Sequence, residues 1–227
     1  MSFVCQYCKK TYVRESTLAA HLCETKRRFQ QQNEPAVQIG LKSYLRFYEI
    51  TQGSAKLKTY DDFVNSPYYL AFVRYGRHVT GIRAVNVSSL TDWLLKNNKK
   101  LDHWCKESLY LEWLYQYLRK ESVQDAIERA IKEMQDYADN SAELNKNLAN
   151  YFRFGSANRI CKHISDGRIS PWVVYNCDSG VEFLSKLNQE QIAIIMPVID
   201  PDFWQQKFRD YVADTEWCKS ILGQAEL

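Results

Sequence analysis

The sequence predicts an all-α protein, a multi-helix bundle preceded by a small N-terminal ββα module. Three observations predict it. Glycine and proline are scarce, at 8 and 5 of 227 residues, which disfavours a turn-rich sandwich or barrel. Apolar residues recur at three- and four-residue spacing over most of the chain. Three of the prolines follow a Ser or Asp, the arrangement of an N-cap and a first helical residue.

The elements can be justified in order after the first 25 residues. Residues 26–35, KRRFQQQNEP, read as a basic, polar connector ending at Pro35. In QIGLKSYLRFYEI, the residues Leu41, Tyr44, Leu45 and Tyr48 lie at helical spacing. Ser66 followed by Pro67 is expected to open a helix over YYLAFVRYG. Ser88 or Ser89 is expected to cap LTDWLLK, which NNKK at 97–100 ends. ESLYLEWLYQYLRK places Leu111, Leu114, Tyr115 and Leu118 on one stripe. Ser122 with Asp125 approximates a capping box ahead of VQDAIERAIKEMQDYA, whose apolar face is Val123, Ile127, Ala130, Ile131 and Met134. Gly155 stops one helix and Ser156 caps ANRICKHI; Ser170 and Pro171 open WVVYN; Asp200 and Pro201 open DFWQQKFRDYV; Gly223 ends the last helix.

The composition, 45% hydrophobic and 25% charged, is that of a chain able to bury a core at this length. No run of eighteen apolar residues is present to span a membrane, and no apolar signal core precedes Cys5, so a cytoplasmic location is expected. Cys5, Cys8 and Cys23 cluster, whereas Cys105, Cys161, Cys177 and Cys218 are scattered through apolar surroundings. That usage suits a reduced compartment with one metal site and several buried thiols. The net charge of +3 is unevenly spread. The first 30 residues hold six basic residues (Lys9, Lys10, Arg14, Lys26, Arg27, Arg28) against Glu15 and Glu24, while the remainder is one charge negative. Attraction for a polyanion therefore concentrates at the N-terminal end.

The same end carries the strongest motif, FVCQYCKKTYVRESTLAAHLCETKRR at residues 3–28. Cys5 and Cys8 form a thiolate pair on a tight knuckle, and His21 follows after twelve intervening residues. Tyr12 and Leu18 occupy two apolar positions between them, and Glu15 stands at the start of a helix-prone segment, where the helix dipole favours an acid. Over residues 3–23 this constellation resembles the C2H2 zinc-finger family, which implies one tetrahedral Zn2+. The departure is the fourth ligand. Thr25 stands where a second histidine would fall, and the next histidine is His78. Cys23 is the expected substitute, giving a Cys3His site of Cys5, Cys8, His21 and Cys23. Positions two apart do not face one another on a helix, so the helix must end near Leu22 for both to bind. The alternative is a vestigial site with Cys23 a buried thiol.

The finger family reads bases from three helix positions, which fall here on Arg14, Thr17 and Ala20. Arg14 could grip a guanine, and the other two offer little beyond a methyl contact. Lys9, Lys10, Lys26, Arg27 and Arg28 suit phosphate contacts that hold nucleic acid without choosing a sequence. A protein-docking finger is the alternative.

The body carries no glycine-rich phosphate loop, no Gly-x-Ser-x-Gly and no His-Glu-x-x-His, so no catalytic residues are assigned. Asp102, His103 and Cys105 in LDHWC read as capping and core groups. His78 and His163 are expected near helix C-termini, where an imidazolium is welcome. Most of the six Trp and fifteen Tyr are expected in the core. The organisation expected is a finger at 1–28, a basic and polar linker at 29–36, and helical subdomains at 37–140 and 141–227.

Over nearly its full length the chain also resembles a family of zinc-finger proteins from large tailed phages, on HLCETKRR, FYEITQGSAKLK, DDFVNSPYYLAFVRYGR, WLLKNNKKLDHW and GRISPWVVYN. More remotely, the helical body is similar to the phage replicative helicase loaders, all-α, two-part factors that act on forked DNA. The likeness rests on YYLAFVRYGR, LDHW, ICKHISDGRISPWVVYN and the closing WQQKFRDYV. The resemblance implies a non-catalytic nucleic-acid-binding adaptor of phage DNA replication, a candidate helicase loader in the cytoplasm of an infected bacterial host. Its implied partners are forked or single-stranded DNA and a replication or transcription protein, with no membrane and no small-molecule substrate. The alternatives are a transcription-associated adaptor docking on RNA polymerase, and a nuclease or other DNA-modifying enzyme built on carboxylates clustered in space.

Overall fold

A computed structural model describes residues 2–53 and 58–227. The GSAKLK end of the FYEITQGSAKLK stretch lies mostly outside the described residues, at 54–57. The chain divides into two compact units, Met1–Tyr110 and Leu111–Leu227. Among the described residues the only strands are β1 (Phe3–Val4) and β2 (Thr11–Tyr12), paired antiparallel with Phe3 opposite Tyr12 and Val4 opposite Thr11. Everything after them is helical or connecting, so the chain is all-α with a small ββα module at its N-terminus. No helix among the described residues is long and apolar enough to cross a membrane.

In the first unit the strands are followed by α1 (Glu15–Ala20), α2 (Glu24–Gln30), α3 (Pro35–Gln52), α4 (Tyr60–Val64), α5 (Tyr69–Gly81) and α6 (Val87–Lys96). A 3₁₀ turn (Leu101–His103) then leads to α7 (Glu107–Leu118), within which the division between units falls. The body of this unit is built on the crossing of α3 and α5. Glycines let the two backbones touch: a Cβ on Gly76 would stand 2.0 Å from the Ala36 carbonyl oxygen, and one on Gly40 would stand 2.9 Å from that of Phe72. Around the crossing, Val37, Tyr44, Phe63, Phe72, Tyr75, Leu94 and Trp104 are fully buried. The Tyr75 hydroxyl and Thr91 Oγ1 lie 3.1 Å apart, with Ser43 Oγ 3.4 Å from Thr91 Oγ1, so these three buried hydroxyls satisfy one another. Arg46 of α3 forks onto Asp92 of α6 at 2.6 and 3.0 Å.

The second unit comprises the rest of α7, α8 (Val123–Asp139), two 3₁₀ turns, α9 (Tyr151–Phe154), α10 (Ala157–Ser165), α11 (Pro171–Asn176), α12 (Asp178–Ser185), α13 (Gln189–Ile199), α14 (Pro201–Asp210) and α15 (Val212–Gln224). α8 packs on α11 and α15 within this unit, although its residues belong to the 37–140 segment of the sequence reading. Trp113, Trp172, Trp204 and Tyr151 are fully buried, in keeping with aromatics at helical spacing. One buried ion pair organises the unit. Arg129 holds Glu121 with a fork of 2.6 and 2.9 Å and donates Nε to the Gly167 carbonyl at 2.9 Å, while Ser170 Oγ donates to Glu121 at 2.9 Å. Burial of the fully enclosed Glu121 carboxylate raises its pKa despite the Arg129 partner.

Several caps differ from the sequence reading. Asn86, not Ser88 or Ser89, caps α6, its side chain accepting the Ser89 N–H at 3.0 Å. α5 starts at Tyr69 because Ser66 Oγ and Pro67 make a turn first, in which Ser66 accepts the Tyr68 N–H. Ser156 precedes α10 but makes no side-chain cap bond. Gly223 lies inside α15, which ends one residue later. His78 does occupy the last turn of α5, where burial lowers its pKa against the opposing pull of the nearby Glu107. His163 is buried, with Nδ1 2.8 Å from the Tyr151 hydroxyl.

Two stability predictions follow from these contacts. Gly76→Ala forces α3 and α5 apart and costs about 3 kcal/mol or more, whereas Gly81→Ala, with open space around the new methyl, costs nothing; chemical denaturation of the two variants checks the contrast. Arg129→Met strands a buried carboxylate and destabilises by about 3 kcal/mol at pH 7. A raised folded pKa means that protonated Glu121 is the better-tolerated form, so this deficit shrinks as pH falls towards 4; denaturation at both pH values measures it.

Candidate metal centre

The N-terminal module is assembled by a knuckle, a short helix and a second helix start. In the knuckle the Cys5 N–H donates to the Lys10 carbonyl and the Lys9 N–H to the Cys5 carbonyl, each at 2.9 Å. Lys9 takes a φ of 60° to close it. Tyr12 on β2 sets its ring 4.9 Å from that of His21. α1 then stops at Ala20: His21 is extended, with φ −71° and ψ 121°, and its N–H reaches back to the Leu18 carbonyl at 3.1 Å. Cys23 is extended again, with φ −81° and ψ 163°, and serves as N-cap of α2, its sulfur accepting the Lys26 N–H at 3.4 Å. The break between α1 and α2 is what turns Cys23 towards His21.

These turns bring Cys5 Sγ, Cys8 Sγ, Cys23 Sγ and a ring nitrogen of His21 within 4.8 Å of one another, the one such group of potential metal ligands among the described residues. Cys8 Sγ lies 3.2 Å from His21 Nε2. A tetrahedral ion with metal–sulfur bonds of about 2.3 Å and metal–nitrogen bonds of about 2.0 Å separates its ligands by about 3.5–3.8 Å, so the cluster has the size such an ion needs. The donor chemistry agrees, since thiolates with one imidazole suit a borderline-soft cation. N–H groups of Cys8 and Tyr7 stabilise the Cys5 thiolate and lower its pKa to about 7, readying one ligand for metal at neutral pH. At Cys8 the Lys10 N–H pulls the same way, but partial burial and the neighbouring sulfurs of Cys5 and Cys23 prevail and its pKa is raised. A cation between the sulfurs removes that repulsion. A cavity lined by Cys5, Tyr7, Leu18, His21 and Lys26 opens beside the cluster.

From residue 2 through residue 34, Cys5 is the only fully buried residue. Neither α1 nor α2 buries a side chain completely. A module with so little core would gain its folding free energy from an ion held at these donors.

The basic residues around it divide into two kinds. Lys10, Arg14, Thr17 and Arg27 are exposed. Lys9 is exposed with Nζ donating to the Gln6 carbonyl at 2.7 Å. Lys26 is half-buried, its Nζ 3.3 Å from the His21 carbonyl oxygen at the C-terminus of α1. Arg28 turns inward: its guanidinium donates to the Val64 carbonyl at 2.5 Å, lies 4.4 Å from the centre of the Tyr69 ring and pairs with Glu24. Sequence reasoning grouped Arg28 with the solvent-facing cations and missed this role. The available signal was Phe29, the one aromatic in KRRFQQQ, which marks a face of α2 that must be covered.

Asp102, His103 and Cys105 are not a group of potential metal ligands among the described residues. Asp102 and His103 are exposed on the 3₁₀ turn, and Arg74 stands 3.9 Å from Asp102. Comparison with family models, curated proteins and solved structures finds no match to this chain.

Protein purified under reducing conditions is expected to carry one divalent ion per chain by elemental analysis. Cys23→Ala should lower metal affinity by more than the 10–100-fold typical of losses outside the ligand shell; competition with a chromophoric chelator measures it, and unchanged affinity would remove Cys23 from the site.

Proposed function

We propose that the ion is zinc and that this protein is a non-catalytic nucleic-acid-binding adaptor, its finger holding phosphates and its helical body contacting a second protein. The observation that carries the reading is the Cys3His cluster with Lys10, Arg14 and Arg27 exposed around it on a chain whose positive charge concentrates in its first 30 residues. Zinc is favoured because tetrahedral thiolate–imidazole sites with every position filled by protein are its structural form. With no open position, the ion does not activate water, so its work is to fold the finger. Arg14 is the extended N-cap residue of α1 and Thr17 lies in its first turn, which suits at most one short contact to base edges. A single finger reads about three base pairs, so the grip on phosphate outweighs the choice of sequence. The resemblance of the body to helicase loaders supports a replicative helicase at a phage fork as the second partner.

Salt-titrated binding to forked, duplex and single-stranded DNA tests this. Binding should weaken steeply with salt, and converting Lys10, Arg14 and Arg27 together to glutamine should reduce the slope of log K against log salt by about 2–3. Arg28→Gln should leave that slope nearly unchanged, since its charge is held inward. Equal indifference to all three DNA forms would end the proposal.

A further inference from the structure

The segment that reads as a connector is a strut. α2 begins at a metal ligand and ends against the helical body of its own unit. Cys23 contributes its sulfur both to the four-donor cluster and to the cap of α2. On the opposite flank, Phe29 sits between the Tyr7 ring of the knuckle, 5.2 Å away, and the Tyr60 ring of α4, 5.5 Å away. The Tyr60 hydroxyl donates to the Arg28 carbonyl at 2.7 Å, and the Arg28 side chain reaches Val64 and Tyr69. From Tyr60 the ring contacts continue without a gap. Phe63 is 6.0 Å from Tyr60, Tyr44 is 5.0 Å from Phe63, Phe72 is 5.6 Å from Tyr44, and Trp104 is 5.7 Å from Phe72.

We infer that the metal state of the finger is transmitted to the helical body through α2, so that α4 and the start of α5 are ordered in step with metal loading. α2 has seven residues, and an isolated helix of that length does not persist in water. It is held at one end by the fixed position of Cys23 and at the other by Arg28 and Phe29. Removing the ion releases the first hold, so α2 frays from its cap and withdraws Arg28 and Phe29 from Tyr60, Val64 and Tyr69. Linkage makes the coupling reciprocal: what weakens the far end must weaken metal binding. The inference rests on metal at the Cys3His cluster and is independent of nucleic-acid binding.

Tyr60 provides the test, because it is half-buried and remote in sequence from every clustered donor. Full-length wild type, Tyr60→Phe, Tyr60→Ala and Arg28→Gln are titrated with zinc against a competing chelator in reductant. Hydrogen exchange is followed with zinc and after chelation. All four should bind one zinc. Affinity should fall by about fivefold or more for Tyr60→Ala and Arg28→Gln, with Tyr60→Phe between them and wild type. Chelation should speed exchange in α4 and the first turns of α5 of the wild type while leaving α8 unchanged. Affinities of Tyr60→Ala and Arg28→Gln within twofold of wild type, or faster exchange confined to residues 2–34, would overturn the coupling. Absence of zinc from the wild type overturns the metal centre and the coupling together, whereas loss of DNA binding alone touches neither.

Discussion

Too little apolar surface is available in the first thirty-four residues to pay for their order, and every feature of the N-terminal module answers to that constraint. Only Cys5 is fully buried there, so folding free energy has to come from elsewhere. Four convergent donors are placed to supply it, since together they could hold a cation. The knuckle, the early end of α1 and the extended backbone at His21 and Cys23 are the geometric consequences of placing three sulfurs and one imidazole around a point. α2 supplies the second source, since Arg28 and Phe29 lend the module contacts with a body that does have a core.

The electrostatics divide along the same line. A cation at the surface of a poorly packed module is cheap to keep solvated, and Lys10, Arg14 and Arg27 remain so. Arg28 spends its charge on a carbonyl, a tyrosine face and Glu24, where its fixed fork and flat faces suit a partly buried place better than a lysine would. Glu121 and Arg129 repeat the logic inside the second unit, with the carboxylate fully enclosed and each oxygen provided with a donor. Such a pair adds little net stability over apolar packing, but losing one partner is strongly destabilising, and its Arg129 also joins α8 to the α10–α11 turn at the Gly167 carbonyl.

Much of the helical pattern was legible in the sequence because helix starts are local events. Ser122, Ser170 and Asp200 cap the helices that their position ahead of Asp125, Pro171 and Pro201 announces. The misreadings are equally local. Asn86 outcompetes Ser88 and Ser89 because its side-chain amide oxygen reaches the Ser89 N–H, and a Ser-Pro pair makes a turn before α5 rather than its first residue. The clustering of Cys5, Cys8, His21 and Cys23 was legible from their short-range spacing, down to the requirement that α1 end before Cys23. Arg28 was not legible as a strut, since its partners Val64 and Tyr69 lie more than thirty residues further on.

By itself the sequence determined the helical class, the clustered Cys3His donors and the concentration of positive charge at one end, because each depends on residue type and short-range spacing. Tertiary structure alone decided that α2 is docked rather than free, which cations face solvent, and how Gly40 and Gly76 let α3 and α5 approach. Those outcomes depend on surfaces brought together from distant positions, and no local rule of periodicity or capping carries that information.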